Sequence, residues 1–237
     1  MTEQNDRRLI EDYLPIQAIS AEASREKSVR KGHISTLHLW WARRPLVACR
    51  AAVYGALVPA SQFVPQNGPD NKKLSLGRAN AAKFLSELCK YPGNPRSIQQ
   101  AQEHILDAHA ARLSAELAEA GKTGTWPAWV DEFNWPKSNL AVTRADIEAG
   151  RAPRPRVLDM FAGGGAIPLE ALRLGCEAYA LDLNPVAHII ELCTLVYPQK
   201  FGKPDPTVPG MTGPPAYDQA GRLIHQTTWG GLAEEVR

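Results

Sequence analysis

Two aspartates with a run of glycines between them set the chemistry available to this sequence. Asp159 closes a short apolar run, Val157-Leu158, and leads into Met160-Phe161-Ala162-Gly163-Gly164-Gly165. Asp182 closes a second apolar run, Ala178-Tyr179-Ala180-Leu181, and leads into Leu183-Asn184-Pro185. Residues without side chains let the backbone approach a ligand closely, and a helix starting beyond them presents unpaired N–H groups. A carboxylate after the second run suits a ribose, whose two hydroxyls can both donate to it. The pattern predicts strand, glycine turn, helix through Leu169–Leu174, a break at Gly175-Cys176, then strand and acid. That order opens a nucleotide-binding α/β sheet. The competing reading is a structural glycine turn in an unrelated α/β protein.

The dinucleotide fingerprint requires a third glycine three residues after the second. With Gly163 and Gly165 as the first two, Pro168 stands there instead. Asp159 would repel a pyrophosphate, whereas it attracts a cationic methionine moiety. The pattern Asp159-x-Phe161-x-Gly163-x-Gly165, with Asp182 downstream, resembles motif I and the ribose acid of S-adenosylmethionine-dependent methyltransferases. Its spelling, and the tail Asp182-Leu183-Asn184-Pro185, are most similar to amino-methylating DNA methylases. The resemblance implies S-adenosyl-L-methionine as cofactor. It places the methionine end on the Phe161, Ala162, Gly163 and Gly165 turn, with Asp159 on the ammonium directly or through water. Asp182 would hold the ribose, while Leu183, Asn184 and Pro185 line the adenine. The methyl group would pass by direct displacement from sulfonium to an adenine amine, without a metal ion.

A second patch lies nearer the N-terminus. Ile16, Ile19 and Ala23 recur at helical spacing, predicting a helix from about Ile16 to Arg30 that stops at Gly32. Arg25, Lys27, Arg30, Lys31, Arg43, Arg44 and Arg50 crowd one stretch against the single acid Glu26. Within it runs Thr36-Leu37-His38-Leu39-Trp40-Trp41-Ala42-Arg43-Arg44-Pro45, with Pro45 suited to open an Ala-rich helix over Leu46–Val58. Basic groups beside aromatics can hold phosphates, stack a base or grip a carboxylate. Equally, the tryptophans can be partly core and the charges a solvated face. The run from Ile16 through Val58 resembles the N-terminal domain of unknown function that precedes motif I in adenine-specific DNA methylases. The resemblance implies that His38 to Pro45 is similar to motif X, which closes over the methionine end of the cofactor. Arg43 or Arg44 would then pair with its carboxylate, and the sequence does not choose between them.

The middle of the chain carries less. Helical spacing predicts helices over Gly77–Tyr91 and Ser97–Ala120. His104 and His109 are five apart, off a common face, and read as solvated surface groups. Gly121-Lys122-Thr123 echoes the end of a phosphate loop, but Glu116 stands where its first glycine belongs. Trp126, Trp129 and Trp135 read as a packed irregular connection, and Arg151 to Arg156 as a linker. His188 and Glu191 read as surface groups on a helix over Val186–Val196. Cys49, Cys89, Cys176 and Cys193 form no Cys-x-x-Cys pair and read as reduced core residues of a cytoplasmic protein, with no metal site. A net charge of +2 makes no global argument for nucleic acid. No apolar run approaches membrane-spanning length, so no membrane partner is expected.

Beyond Tyr197, prolines and glycines predict loop or disorder to about Gly221. Methylating an exocyclic amine needs an acceptor for its hydrogens and an aromatic face for the extruded base. In the resembled enzymes motif IV, an Asp-, Asn- or Ser-Pro-Pro-aromatic tetrapeptide, supplies both. The nearest string, Gly213-Pro214-Pro215-Ala216-Tyr217, has glycine where the acceptor belongs, which leaves the catalytic residues unknown. The expected fold class is α/β: a partial Rossmann-like class I methyltransferase sheet preceded by a mainly helical N-terminal region. The expected organisation is a methylase-associated domain over 1–60, a helical insertion and linker over 61–153, a cofactor half-site over 154–200 and a tail over 201–237. The chain thus resembles the front of an adenine-N6 DNA methyltransferase that lacks motif IV, inactive alone, with DNA as the expected partner. Other readings are a cofactor-binding subunit completed by a second polypeptide, a degenerate nucleic-acid-binding or structural protein, and an RNA amino-methyltransferase.

Overall fold

Apolar residues at helical spacing dominate the first two-thirds of the chain, and helices carry most of the fold. The computed structural model describes residues 7–29, 38, 40–67 and 69–201. The expected stop at Gly32, the Pro/Gly-rich tail and the Gly213–Tyr217 string lie outside the described residues. The order is α1 (Leu9–Asp12), α2 (Ile16–Ser28), α3 (Leu46–Leu57), α4 (Asp70–Leu88), α5 (Pro95–Thr123), α6 (Ala128–Glu132) and α7 (Arg144–Glu148). There follow β1 (Arg156–Asp159), α8 (Ala166–Arg173), β2 (Glu177–Ala180) and α9 (Pro185–Glu191). A π-helical turn (Leu192–Val196) then leads into α10 (Tyr197–Phe201). The molecule is mixed α/β and mostly helical, with one small parallel sheet pairing Arg156 with Glu177 and Asp159 with Ala180.

The helix α3 is apolar on nearly every side, and such a helix belongs in the middle. It packs on α1, α2, α5 and α8, burying Val47, Ala51, Val53 and Tyr54. These side chains join Leu85 and Leu88 of α4, Ile105 of α5 and Ala171 and Leu174 in one core. A second core takes Leu106, Leu113 and Leu117 from the other side of α5, with Val130, Trp135, Val142 and Ile147. The tryptophan-rich stretch therefore packs as expected, Trp129 meeting Trp135 edge-on at 5.9 Å. α5 outruns its predicted span because both ends are capped. Asn94 accepts from the Arg96 N–H, and Gly124, at φ 77°, returns its own N–H to Ala120.

α8 starts three residues earlier than predicted, since Pro168 falls in its first turn, where a missing N–H costs nothing. Pro45 caps α3 from outside instead of opening it, with extended ψ of 135°. The Arg151–Arg156 stretch is packed, with Ala152, Pro153 and Pro155 buried. The sheet presents Val157 and Ala178 to the first core, while Leu158, Tyr179 and Leu181 face out, 58%, 46% and 59% exposed.

Several polar side chains sit deeper than their sequence context suggests. Arg50 and Glu170 are both wholly buried and paired, Nε to Oε2 at 2.6 Å and Nη2 to Oε1 at 3.1 Å. The arginine's remaining donors reach the carbonyls of Leu88, Lys90 and Pro92. One member of the basic run is thus consumed inside the fold. Glu191, expected at the surface, is buried, while Cys193, expected in the core, is exposed. Burial pushes the Cys49, Cys89 and Cys176 thiols up to about 12, which leaves them unreactive.

His109 is buried and His104 half-buried, because α5 has neighbours on both sides. Tyr54 Oη meets His104 Nδ1 at 2.7 Å amid Phe63 and Phe84. Arg112 donates to His109 Nδ1 at 2.6 Å, so the ring is neutral and its Nε2–H donates to the Pro153 carbonyl at 3.1 Å. Burial, and next the Arg112 charge, push this imidazole down to about 4. The unfolded chain, with an ordinary pKa near 6.5, therefore binds the extra proton between those values. Stability from this group is complete above about pH 6.5 and falls away toward pH 4, by at most ~3 kcal/mol. His109→Gln, which keeps a donor for Pro153, should flatten that part of the Tm-against-pH curve relative to wild type. Parallel curves would show that His109 titrates normally.

Candidate functional site

The glycine turn is stitched to the end of β2 by main-chain groups. Leu181 N–H donates to the Asp159 carbonyl at 2.9 Å and Ala162 N–H to the Leu181 carbonyl at 3.1 Å. Gly163 N–H then donates to Asp182 Oδ2 at 2.8 Å, and Asn184 N–H to Oδ1 at 2.8 Å. Those two N–H groups, Asn184 first, hold the Asp182 carboxyl below the usual carboxylate range. Asp159 Oδ1 accepts from Phe161 N–H at 3.0 Å. Both carboxylates are acceptor-only and keep lone pairs for a ligand.

Glu26 of α2 brings the basic, aromatic stretch to this turn. Its buried carboxylate accepts from Leu46 N–H at 2.8 Å and Val47 N–H at 3.0 Å, the first two donors of α3. A helix start carries partial positive charge and unpaired N–H groups, so a carboxylate satisfies both. The cap fixes where α3 begins, and with it Arg43, Arg44 and the preceding tryptophans.

Trp40 then lies directly over the turn. A Cβ on Gly163 would come within 2.7 Å of Trp40 Nε1, and Gly163 already holds φ 52°. Conformation and space both demand glycine there. The Trp41 ring stands edge-on to Trp40, centroids 6.4 Å apart, and is 90% exposed.

The result is a cavity of about 530 Å³ between the two patches. His38, Trp40, Trp41, Arg43 and Arg44 form one wall; Asp159, Phe161, Ala162, Gly163, Asp182 and Asn184 form the other. Gly164, Ile167 and Ile190 are also on its lining, and nothing in the sequence marked Ile190. Three expected residues are not on its lining. Gly165 turns toward Leu195 and Thr194, Leu183 projects outward at 96% exposure, and Pro185 is the first residue of α9. The two arginines differ: Arg44 is exposed, while Arg43 is half-buried and close enough to Tyr91 to oppose the upward push of burial and Glu26 on its hydroxyl.

A larger hollow, about 710 Å³, lies between the α7–β1 connection and α9. Its lining mixes apolar side chains with Arg154, Glu177, His188, Glu191 and Gln199, and it brings together none of the expected site residues. The smaller cavity is the one that sets Asp159 and Asp182 opposite Arg43 and Arg44. Glu191 reaches under Gly165, its Cγ 3.7 Å from where a Cβ would stand. Its Oε1 has no hydrogen-bond partner among the described residues. Burial, then Asp182 and more weakly Asp159, push its carboxyl up.

Residues 13–84 match the model of a family described as a protein of unknown function (DUF1156). The match takes in α2, the Trp40–Arg44 stretch and α3, and stops before the glycine turn. No curated protein and no solved structure matches the chain.

The turn makes a direct demand on two neighbouring glycines. Gly163→Ala should cost ~1–3 kcal/mol, from the left-handed backbone and the collision with Trp40. Gly164→Ala, whose Cβ would clear Trp40 by 3.7 Å, should cost under about 1 kcal/mol. Urea denaturation separates them, and equal losses would mean Trp40 does not pack on the turn.

Proposed function

We propose that the cavity binds S-adenosyl-L-methionine and that the chain is part of an adenine-N6 DNA methyltransferase. The observation that carries this reading is the meeting of the Trp40–Arg44 stretch and the glycine turn on one cavity. The resemblance to motif X and motif I requires that neighbourhood, and the two lie more than a hundred residues apart in sequence. On this reading Asp182, already accepting from Gly163 and Asn184, keeps a lone pair on each oxygen for the ribose hydroxyls. Asp159 faces the ammonium, and Arg44, the exposed arginine, takes the cofactor carboxylate. β1, α8 and β2 would be the first strand–helix–strand unit of a Rossmann-like methyltransferase sheet. When bound, the cofactor supplies an electrophilic methyl group on a positively charged sulfur. Neutral RNA or DNA amines are both suitable acceptors, and DNA is favoured by the resemblance alone.

Isothermal titration of the full chain with S-adenosylmethionine tests the reading. Wild type should bind, and Asp182→Ala should bind roughly ten- to a hundredfold more weakly through loss of charge-assisted hydrogen bonds. No binding by wild type would overturn the cofactor assignment; equal affinities would remove Asp182 from the site.

The bare face of the sheet favours a second form of the same reading. Leu158, Tyr179 and Leu181 expose about half of their surface beside Leu183, an apolar area typical of a protein contact. A second polypeptide that covers it and supplies motif IV would make this chain the cofactor-binding subunit of a split methylase. Methyl transfer from labelled cofactor to DNA should be absent or very weak with this chain alone. Robust transfer by the pure chain would show that the acceptor residues are already within it.

A further inference from the structure

The glycine turn has a neighbour that its usual partners do not explain. Trp40 Nε1, Cε2 and Cδ1 lie 2.7, 3.2 and 3.5 Å from the point where a Gly163 Cβ would stand. One edge of the indole is therefore pressed onto the backbone that donates to Asp182. Trp40 is only half-buried and borders the cavity, so the rest of the ring remains open to whatever enters. Trp41 stands edge-on to it at an interplanar angle of 78° and borders the same cavity. A group lodged against this turn thus meets an indole and two carboxylates, Asp159 and Asp182, within one cavity. Carboxylates alone select positive charge. An indole adds an attraction that is specific to a cation over its ring, and strongest for weakly hydrated cations.

We propose that Trp40 supplies a cation–π face for the positive centre of the ligand, making the cavity prefer a sulfonium donor to its neutral, demethylated product. The inference rests on the cofactor reading above and adds a specificity-determining residue to it. Product that carries no charge on sulfur loses that attraction while keeping its ribose, adenine and amino-acid contacts. Trp40 would therefore favour the donor over the product when the two compete for the cavity.

The test compares S-adenosylmethionine with S-adenosylhomocysteine, by titration calorimetry, on the full chain as wild type, Trp40→Phe and Trp40→Leu. Trp40→Leu should weaken sulfonium binding roughly 3- to 30-fold and thioether binding much less, so that the affinity ratio collapses. Trp40→Phe, with a weaker but still aromatic face, should fall between the two. A merely structural tryptophan would lower both affinities together. An unchanged ratio in either folded variant overturns the inference and leaves the cofactor reading standing. Wild type that binds neither compound overturns both.

Discussion

A buried ion pair holds the two halves of the cavity in register. Arg50 and Glu170 each sit four residues after the first residue of their helix, Leu46 of α3 and Ala166 of α8. Pairing them in two hydrogen bonds, with neither side chain exposed, places those helix starts beside one another. What precedes each start lines the cavity: the tryptophan–arginine stretch before α3 and the glycine turn before α8. Two charges taken out of water are costly unless every donor and acceptor is used. Here the guanidinium also serves three carbonyls, and Arg173 adds a donor to Glu170 at 2.8 Å. Losing one partner of such a pair typically costs ~3–5 kcal/mol, so the arrangement resists sliding of α3 along α8.

The local electrostatics follow from that geometry. Partial positive charge collects where two helix starts meet, yet Glu26 already neutralises the first donors of α3. The cavity is consequently divided. Its glycine-turn side carries Asp159 and Asp182, with Glu191 behind, and the repulsion among them is what lifts Glu191 beyond the effect of burial. Its other side carries Arg43, Arg44 and His38. A ligand with separated positive and negative groups, as in a zwitterionic amino acid joined to a nucleoside, matches such a division better than a phosphate would. Phosphate would face two aspartates at the place where phosphate loops present bare N–H groups.

What was legible in the sequence was local. β1, the turn, α8 and β2 appear in the predicted order because each is set by a short apolar run, glycines or a helix start within a few residues. Helices α3 and α5 were legible through their spacing, while the caps that set the ends of α5 were not. Three of the misplaced residues depend on distant partners. Arg50 reads as surface charge until Glu170, 120 positions away, is brought beside it. Glu26 reads as a lone acid among bases until it caps a helix 20 residues on. His109 reads as solvent-facing until Pro153, 44 residues later, needs a donor. Nor does any spacing rule reveal that Trp40 settles on Gly163, since the glycine's need for φ above zero already accounts for its identity.

The sheet supplies the remaining constraint. Two parallel strands are stable here because α8 packs on both and Val157 and Ala178 join the first core, leaving Leu158, Tyr179 and Leu181 facing out on the other side. Parallel strands are ordinarily covered on both faces, so the open one has the character of a contact surface. It also adjoins the C-terminal ends of both strands, where Asp159 and Asp182 enter the cavity. Whatever covers that face would border the same opening at which Phe161, 80% exposed, now meets solvent. Donor binding and acceptor recognition would then be divided between the part of the fold seen here and the surface that completes it. On the proposed reading, that division accounts for a cavity shaped for the donor in a chain whose sequence matches no motif IV tetrapeptide.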